Sequence, residues 1–139
     1  MNLRFFDTDS LIEDEAGLQV REIFARLGEP RFRELEREVI KKLSQGFYGE
    51  GVVAATGGGA VADKENRGLL RRWAAVVCLT ASVDEIMKRV GCGDERPLID
   101  SSNGKTPVER LLNKRKAAYS DCDLTIDTTS INVEDAVKK

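Results

Sequence analysis

Phe5–Glu13 reads FFDTDSLIE, and a change of rhythm inside that stretch sets the architecture. Leu3 to Phe6 is a short apolar run with the character of a strand, and it ends at Asp7. Ser10 and Glu13 then stand at capping-box spacing, so the chain turns from strand to helix almost at once. Working outward, Val20, Ile23, Phe24 and Leu27 recur at helical spacing, with Gly28 as the stop. Pro30 opens the next helix, whose inner face holds Phe32, Leu35, Val39, Ile40 and Leu43. A glycine-bounded loop, Gly46 to Gly51, leads into Val52–Thr56, an apolar run expected of a strand buried on both faces.

The alternation persists to the end of the sequence. Asp63–Trp73 reads as a helix with Leu69, Leu70 and Trp73 inward, and Ala75–Leu79 as a second buried strand. Ser82 and Glu85 form another capping box before Val83, Ile86, Met87 and Val90. Residues 91–105 break the pattern and form the one long irregular stretch. Thr106, Pro107 and Glu109 start a further helix, Asp123–Asp127 alternates as a last strand, and a helix begins at Val133. Alternating strands and helices predict an α/β fold with a parallel sheet, in one domain spanning residues 1–139.

Composition narrows the function classes. Hydrophobic residues make up 41% and charged residues 33%, the balance of a globular chain that can bury a core. A net charge of −2 gives no broad basic field for nucleic acid. No apolar run approaches the roughly 20 residues of a membrane span. The chain has no histidine, which excludes Cys/His zinc sites and histidine-dependent catalysis. Its three cysteines, Cys78, Cys92 and Cys122, suit reduced thiols in the cytoplasm better than a disulfide framework.

Two features carry chemistry on residue type alone. Asp7 and Asp9 follow a strand directly, and ligands of open α/β sheets sit at the carboxyl ends of strands. On an extended segment two such carboxylates point to opposite sides and divide metal and hydroxyl between them; a helix N-cap at Asp9 or Ser10 would use the same residues. Gly57, Gly58 and Gly59 follow the Val52–Thr56 strand, where bare backbone N–H groups suit a phosphate or carboxylate, or simply a tight turn.

FFDTDSLIE, GEPRFRELE at 28–36, ATGGGAV at 55–61 and DERPLID at 94–100, in this order, resemble the shikimate kinases over nearly the whole chain. The resemblance implies a three-layer P-loop kinase fold and ATP-dependent phosphorylation of the shikimate 3-hydroxyl in aromatic amino-acid biosynthesis. It implies shikimate and ATP as ligands, with Mg²⁺ as cofactor. By the same resemblance Asp7 lies on the metal side and Asp9 binds the substrate hydroxyls. Arg33 and Arg115 hold the substrate carboxylate, Glu36 helps fix that site, and Gly57, Gly58 and Gly59 line it. Arg96 closes with a lid at 91–105 over the phosphates, and Thr128, Thr129 and Ser130 form an adenine-contacting loop.

One motif of the family is not found. The 139 residues contain no G-x-x-x-x-G-K-[ST], and only Met1, Asn2, Leu3 and Arg4 precede FFDTD, where the phosphate loop would stand. The resemblance then implies an N-terminally truncated fold without its central strand, which would lie between 52–56 and 75–79. Such a chain would have impaired transfer and two bare strand edges. Two alternatives stand beside it: a non-catalytic shikimate-kinase-like binding or regulatory protein, and a module that another polypeptide completes by supplying the strand. A plant origin with a lost transit peptide would move the expected location to the plastid stroma.

Overall fold

A computed structural model describes residues 3–90 and 105–138. Its strands are short and all paired in parallel, in two compact units, residues 1–74 and 75–139. The first unit runs β1 (Arg4–Asp7), α1 (Thr8–Ala16), α2 (Val20–Ser44), β2 (Val52–Ala55), a turn of 3-10 helix (Ala60–Ala62) and α3 (Lys64–Trp73). β1 pairs with β2 from Arg4 opposite Val52 to Asp7 opposite Ala55. That register brings Asp7 and the loop after β2 out at the same, carboxyl, end of the sheet, where an α/β fold places its ligands.

Strand gives way to helix at Asp7, one turn earlier than the Ser10–Glu13 capping box predicted. The Asp7 carboxylate accepts the Asp9 N–H at 2.9 Å and caps α1 itself, so Asp9 lies in the first helical turn. The expected extended segment holding both carboxylates is therefore replaced by a strand end and a helix start. Glu13, released from that box, accepts the Val20 N–H at 2.9 Å and ties the two helices together. α2 carries its own capping box from Gln19 and Glu22.

Gly28 interrupts α2 with φ 81° and ψ 166°, which accounts for the predicted stop at Gly28 and restart at Pro30. Only glycine visits that region freely, and a side chain there costs roughly 1–3 kcal/mol. Gly28→Ala is accordingly expected to lower unfolding free energy by about 1–3 kcal/mol, measured by urea titration at unchanged slope. A straight, uninterrupted helix in the variant with no loss of stability would contradict this reading of the kink.

Beyond the kink the predicted inner face is the observed one. Phe32, Leu35, Val39, Ile40 and Leu43 are buried, and all but Ile40 join Ile12 and Ile23 in one cluster. The Phe32 ring sits 4.7 Å from that of Phe24; Phe32 is core. Trp73 packs against the same cluster, as expected.

The second unit runs β3 (Val77–Thr80), α4 (Val83–Val90), α5 (Lys105–Tyr119), β4 (Leu124–Asp127) and α6 (Val133–Val137). β3 and β4 pair in parallel from Val77 opposite Leu124 to Thr80 opposite Asp127. Ser82 caps α4 by accepting the Glu85 N–H at 3.3 Å, and Val83, Ile86, Met87 and Val90 form its half-buried side.

The strands correct one expectation. Neither β2 nor β3 is buried on both faces: Val53 is 45% exposed and Leu79 66% exposed. Successive side chains of a strand face opposite ways, and β2 and β3 alternate half-buried with exposed residues, so only one face of each is covered. The proposed lid at 91–105 lies, apart from Lys105, outside the described residues.

Candidate active site

The loop that follows β2 rolls into helix without any left-handed backbone. The Ala60 N–H donates to the Gly57 carbonyl at 3.0 Å and the Ala62 N–H to the Gly59 carbonyl at 3.1 Å. Gly59 itself is in the right-handed helical region, with φ −78° and ψ −27°. The glycines answer a question of space instead. A Cβ on Gly59 would collide with the Arg33 guanidinium, lying 2.7 Å from its Cζ. A Cβ on Gly57 would stand 3.5 Å from Asp9 Oδ1 and 3.7 Å from Glu36 Oε1. Asp9, Arg33 and Glu36, from α1 and α2, thus converge on the Gly57–Gly59 loop at the carboxyl end of the β1–β2 sheet.

Arg33 is held from two sides. Its Nη1 donates to both Glu36 oxygens, at 2.9 and 3.1 Å, while Nε and Nη2 donate to Glu29 Oε1 at 3.3 and 3.2 Å. The guanidinium also lies over the Phe32 ring, 5.3 Å from its centroid. Its side chain is 20% exposed and that of Glu36 only 2%. Desolvation works against the charge on Arg33, but Glu36 and Glu29 more than offset it and hold its pKa above the ordinary arginine value. Glu36 is pushed the other way from a normal carboxylate. Burial raises its pKa, Arg33 opposes this through its hydrogen bonds and charge, and the negative charges of Asp9 and Asp63 add to the rise.

Asp63 extends this network to α3. It caps that helix by accepting the Glu65 and Asn66 N–H groups at 2.9 and 3.0 Å, and takes a 3.4 Å contact from Arg37. Burial favours its neutral form, but those backbone donors and Arg37 prevail and bring its pKa below the usual aspartate value. Sequence reading passed over Glu29, Arg37 and Asp63. Glu29 and Arg33 stand at i, i+4, the spacing that joins side chains on one helix face, so that signal was available.

Arg33 has room for its guanidinium only because residue 59 has no side chain. In Gly59→Ala the new methyl group displaces a flexible side-chain end, so the fold survives while the arginine moves. If Arg33 holds the substrate carboxylate, as the family resemblance implies, shikimate affinity should drop about tenfold or more with a melting temperature within a few degrees of the parent. Calorimetric titration against shikimate measures it; unaltered affinity would show that Arg33 does not need this position.

Across its whole length, residues 1–139, the chain matches the shikimate kinase family model. It is 48% identical to a shikimate kinase of Geobacter sulfurreducens over 99% of the chain and 74% of that protein. The chain belongs to the shikimate kinase family. A Caldicellulosiruptor saccharolyticus shikimate kinase is 39% identical, over all of the chain and 79% of the relative. Among solved structures, shikimate kinase from Acinetobacter baumannii in complex with shikimate superimposes with a TM-score of 0.89 at 32% identity, covering 98% of this chain and 75% of that one. Shikimate kinase from Aquifex aeolicus gives 0.82 at 31% identity, over 99% and 78%. The α/β parallel-strand architecture is thus that of the shikimate kinases.

Apart from Asp7, the remaining candidates of this shikimate kinase family member lie on the second unit. Arg115, on α5, donates from Nη1 to the Tyr119 hydroxyl at 3.3 Å. Thr128 and Thr129 leave the carboxyl end of β4 with their hydroxyls engaged. Thr128 Oγ1 donates to the Thr80 carbonyl at 2.9 Å and accepts from Arg89 Nη1 at 2.9 Å; Thr129 Oγ1 donates to Asp127 at 2.6 Å and accepts the Ser82 N–H at 2.9 Å. Ser130 is exposed. Arg96 lies outside the described residues.

Among the described residues no group of three or more Cys, Asp or Glu side chains could enclose a metal ion. Asp7 offers one exposed carboxylate, with one oxygen already accepting the Asp9 N–H. That donor set fits Mg²⁺, which is commonly held by one or two carboxylates together with waters and substrate phosphates. No helix of the described residues is long and apolar enough to cross a membrane.

Proposed function

We propose that this chain binds shikimate beside the Gly57–Gly59 loop and phosphorylates its 3-hydroxyl from ATP. The reading is carried by the convergence of Asp9, Arg33 and Glu36 on that loop. Arg33 presents a planar fork of donors to the substrate carboxylate, pre-set by Glu36 and Glu29 so that little freedom is lost on binding. The family resemblance gives Arg115 a carboxylate-binding role as well. Asp9 accepts the proton of the 3-hydroxyl as its oxygen attacks the γ-phosphorus; the new O–P bond forms while the bond from phosphorus to ADP breaks. Asp7 would hold Mg²⁺, which when bound offsets the charge of the phosphates. Arg96 meets the transferring group from the lid, and Thr128, Thr129 and Ser130 border the nucleotide base.

Calorimetry with shikimate and with ATP, done separately, tests the reading: binding of both ligands supports it, and absence of shikimate binding sinks it.

A further inference from the structure

A pair of thiols lies on the β3–β4 sheet, remote in sequence from the Gly57–Gly59 loop and from Asp9, Arg33 and Glu36. Cys78 is the second residue of β3, and the register sets it opposite Thr125 of β4. Directly opposed residues of paired strands project from the same face, so Cys78 and Thr125 are side-by-side neighbours. Cys122 lies in the bend just before β4, and its sulfur shares a 3.2 Å hydrogen bond with Thr125 Oγ1. Thr125 thus neighbours Cys78 across the ladder and touches the Cys122 sulfur. Both thiols are free and partly exposed. The proximity is also felt electrostatically: burial, and then the neighbouring Cys122, raise the Cys78 thiol above its ordinary value.

We propose that Cys78 and Cys122 are a modification site, a thiol pair that a peroxide closes reversibly into a disulfide across the β3–β4 sheet. Cys78, held as the thiol, is the poorer first nucleophile, so Cys122 reacts first. Its sulfur attacks one peroxide oxygen, the O–O bond breaks, and Cys122 becomes a sulfenic acid as water leaves. Cys78 then attacks that sulfur, the S–S bond forms and the S–O bond breaks, releasing a second water. In all, two thiols and one hydrogen peroxide give one disulfide and two waters; each sulfur is oxidised by one electron and the peroxide takes up two. Cys122 occupies a bend before β4, so its backbone is not held in the β3–β4 ladder. The closed ring would contain α4, residues 91–104 and α5, and a thiol reductant would reopen it.

The test uses the full chain with its third thiol, Cys92, in place. Protein is treated with a small excess of hydrogen peroxide in native buffer and, separately, in denaturant; free thiols are then alkylated and the digest is read by mass spectrometry without reduction. In native buffer the Cys78–Cys122 peptide pair is expected, 2 Da lighter than its separate halves and lost on adding dithiothreitol. In denaturant the shorter Cys78–Cys92 ring should predominate, because loop closure favours it once the fold is gone. Cys92→Ser should leave the native link intact, and Thr125→Val, which keeps the strand but removes the shared hydroxyl, should slow its formation. The same pairing pattern with and without denaturant, or sulfinic acid on Cys122 in place of a link, would overturn the proposal.

Discussion

Asp9→Asn is expected to lower the turnover of shikimate about 10²–10⁴-fold, the usual share of a positioned proton acceptor. Asparagine preserves the shape and hydrogen-bonding size of the side chain but cannot take a proton. The Asp7 cap on the Asp9 N–H involves the backbone of residue 9, so the start of α1 survives the change. Shikimate affinity should fall much less than the rate, since the proposed carboxylate partner Arg33 remains in place. The check is steady-state kinetics beside a shikimate titration. An equal loss in both would recast Asp9 as a binding residue, and an unaltered rate would remove it from the chemistry.

Arg33→Lys carries the second large effect, this time on binding. Lysine keeps the positive charge but not the planar fork, which the geometry employs: Nη1 donates to Glu36 and Nε and Nη2 to Glu29, while the guanidinium lies against Gly59. Losing a charged hydrogen bond of about 1.5–3 kcal/mol corresponds to a ten- to hundredfold rise in the shikimate dissociation constant. Lysine is a better probe than alanine. With alanine the buried Glu36 carboxylate would lose its counter-charge, and breaking a buried pair costs about 3–5 kcal/mol in stability, which would mask the binding effect. Calorimetric titration of the variant reads the result, and affinity within twofold of the parent would mean that Arg33 serves only to neutralise Glu36.

Much of the fold is written locally in the sequence, and so could be read from it. The inner face of α2 follows from helical spacing, and the Gly28–Pro30 break from the conformations that those two residues permit. What was misread depended on competition between nearby groups. Asp7 and Ser10 both suit a helix cap, and spacing favoured Ser10 with Glu13; the structure selects Asp7 because the strand ends there and its carboxylate meets the Asp9 N–H. Burial of β2 and β3 was overestimated because an apolar run does not say whether both faces of a strand are covered.

The site divides in the same way. Asp9, Arg33, Glu36 and the three glycines were singled out through family motifs, and the structure brings them together within one unit. The reason for glycine at 59 was not legible, because its partner, Arg33, lies 26 residues earlier and meets it only in three dimensions. Glu29 was legible in principle from its helical spacing, yet nothing in the sequence ranks it above the other acidic residues of α2.

Product formation tests the proposed phosphate transfer to shikimate most directly. Purified protein is incubated with ATP, Mg²⁺ and shikimate, and followed by ³¹P nuclear magnetic resonance. ADP and a phosphate monoester of shikimate are expected in equal amounts, with neither formed when shikimate is omitted. Shikimate binding with no phosphate monoester after prolonged incubation would contradict the proposed transfer.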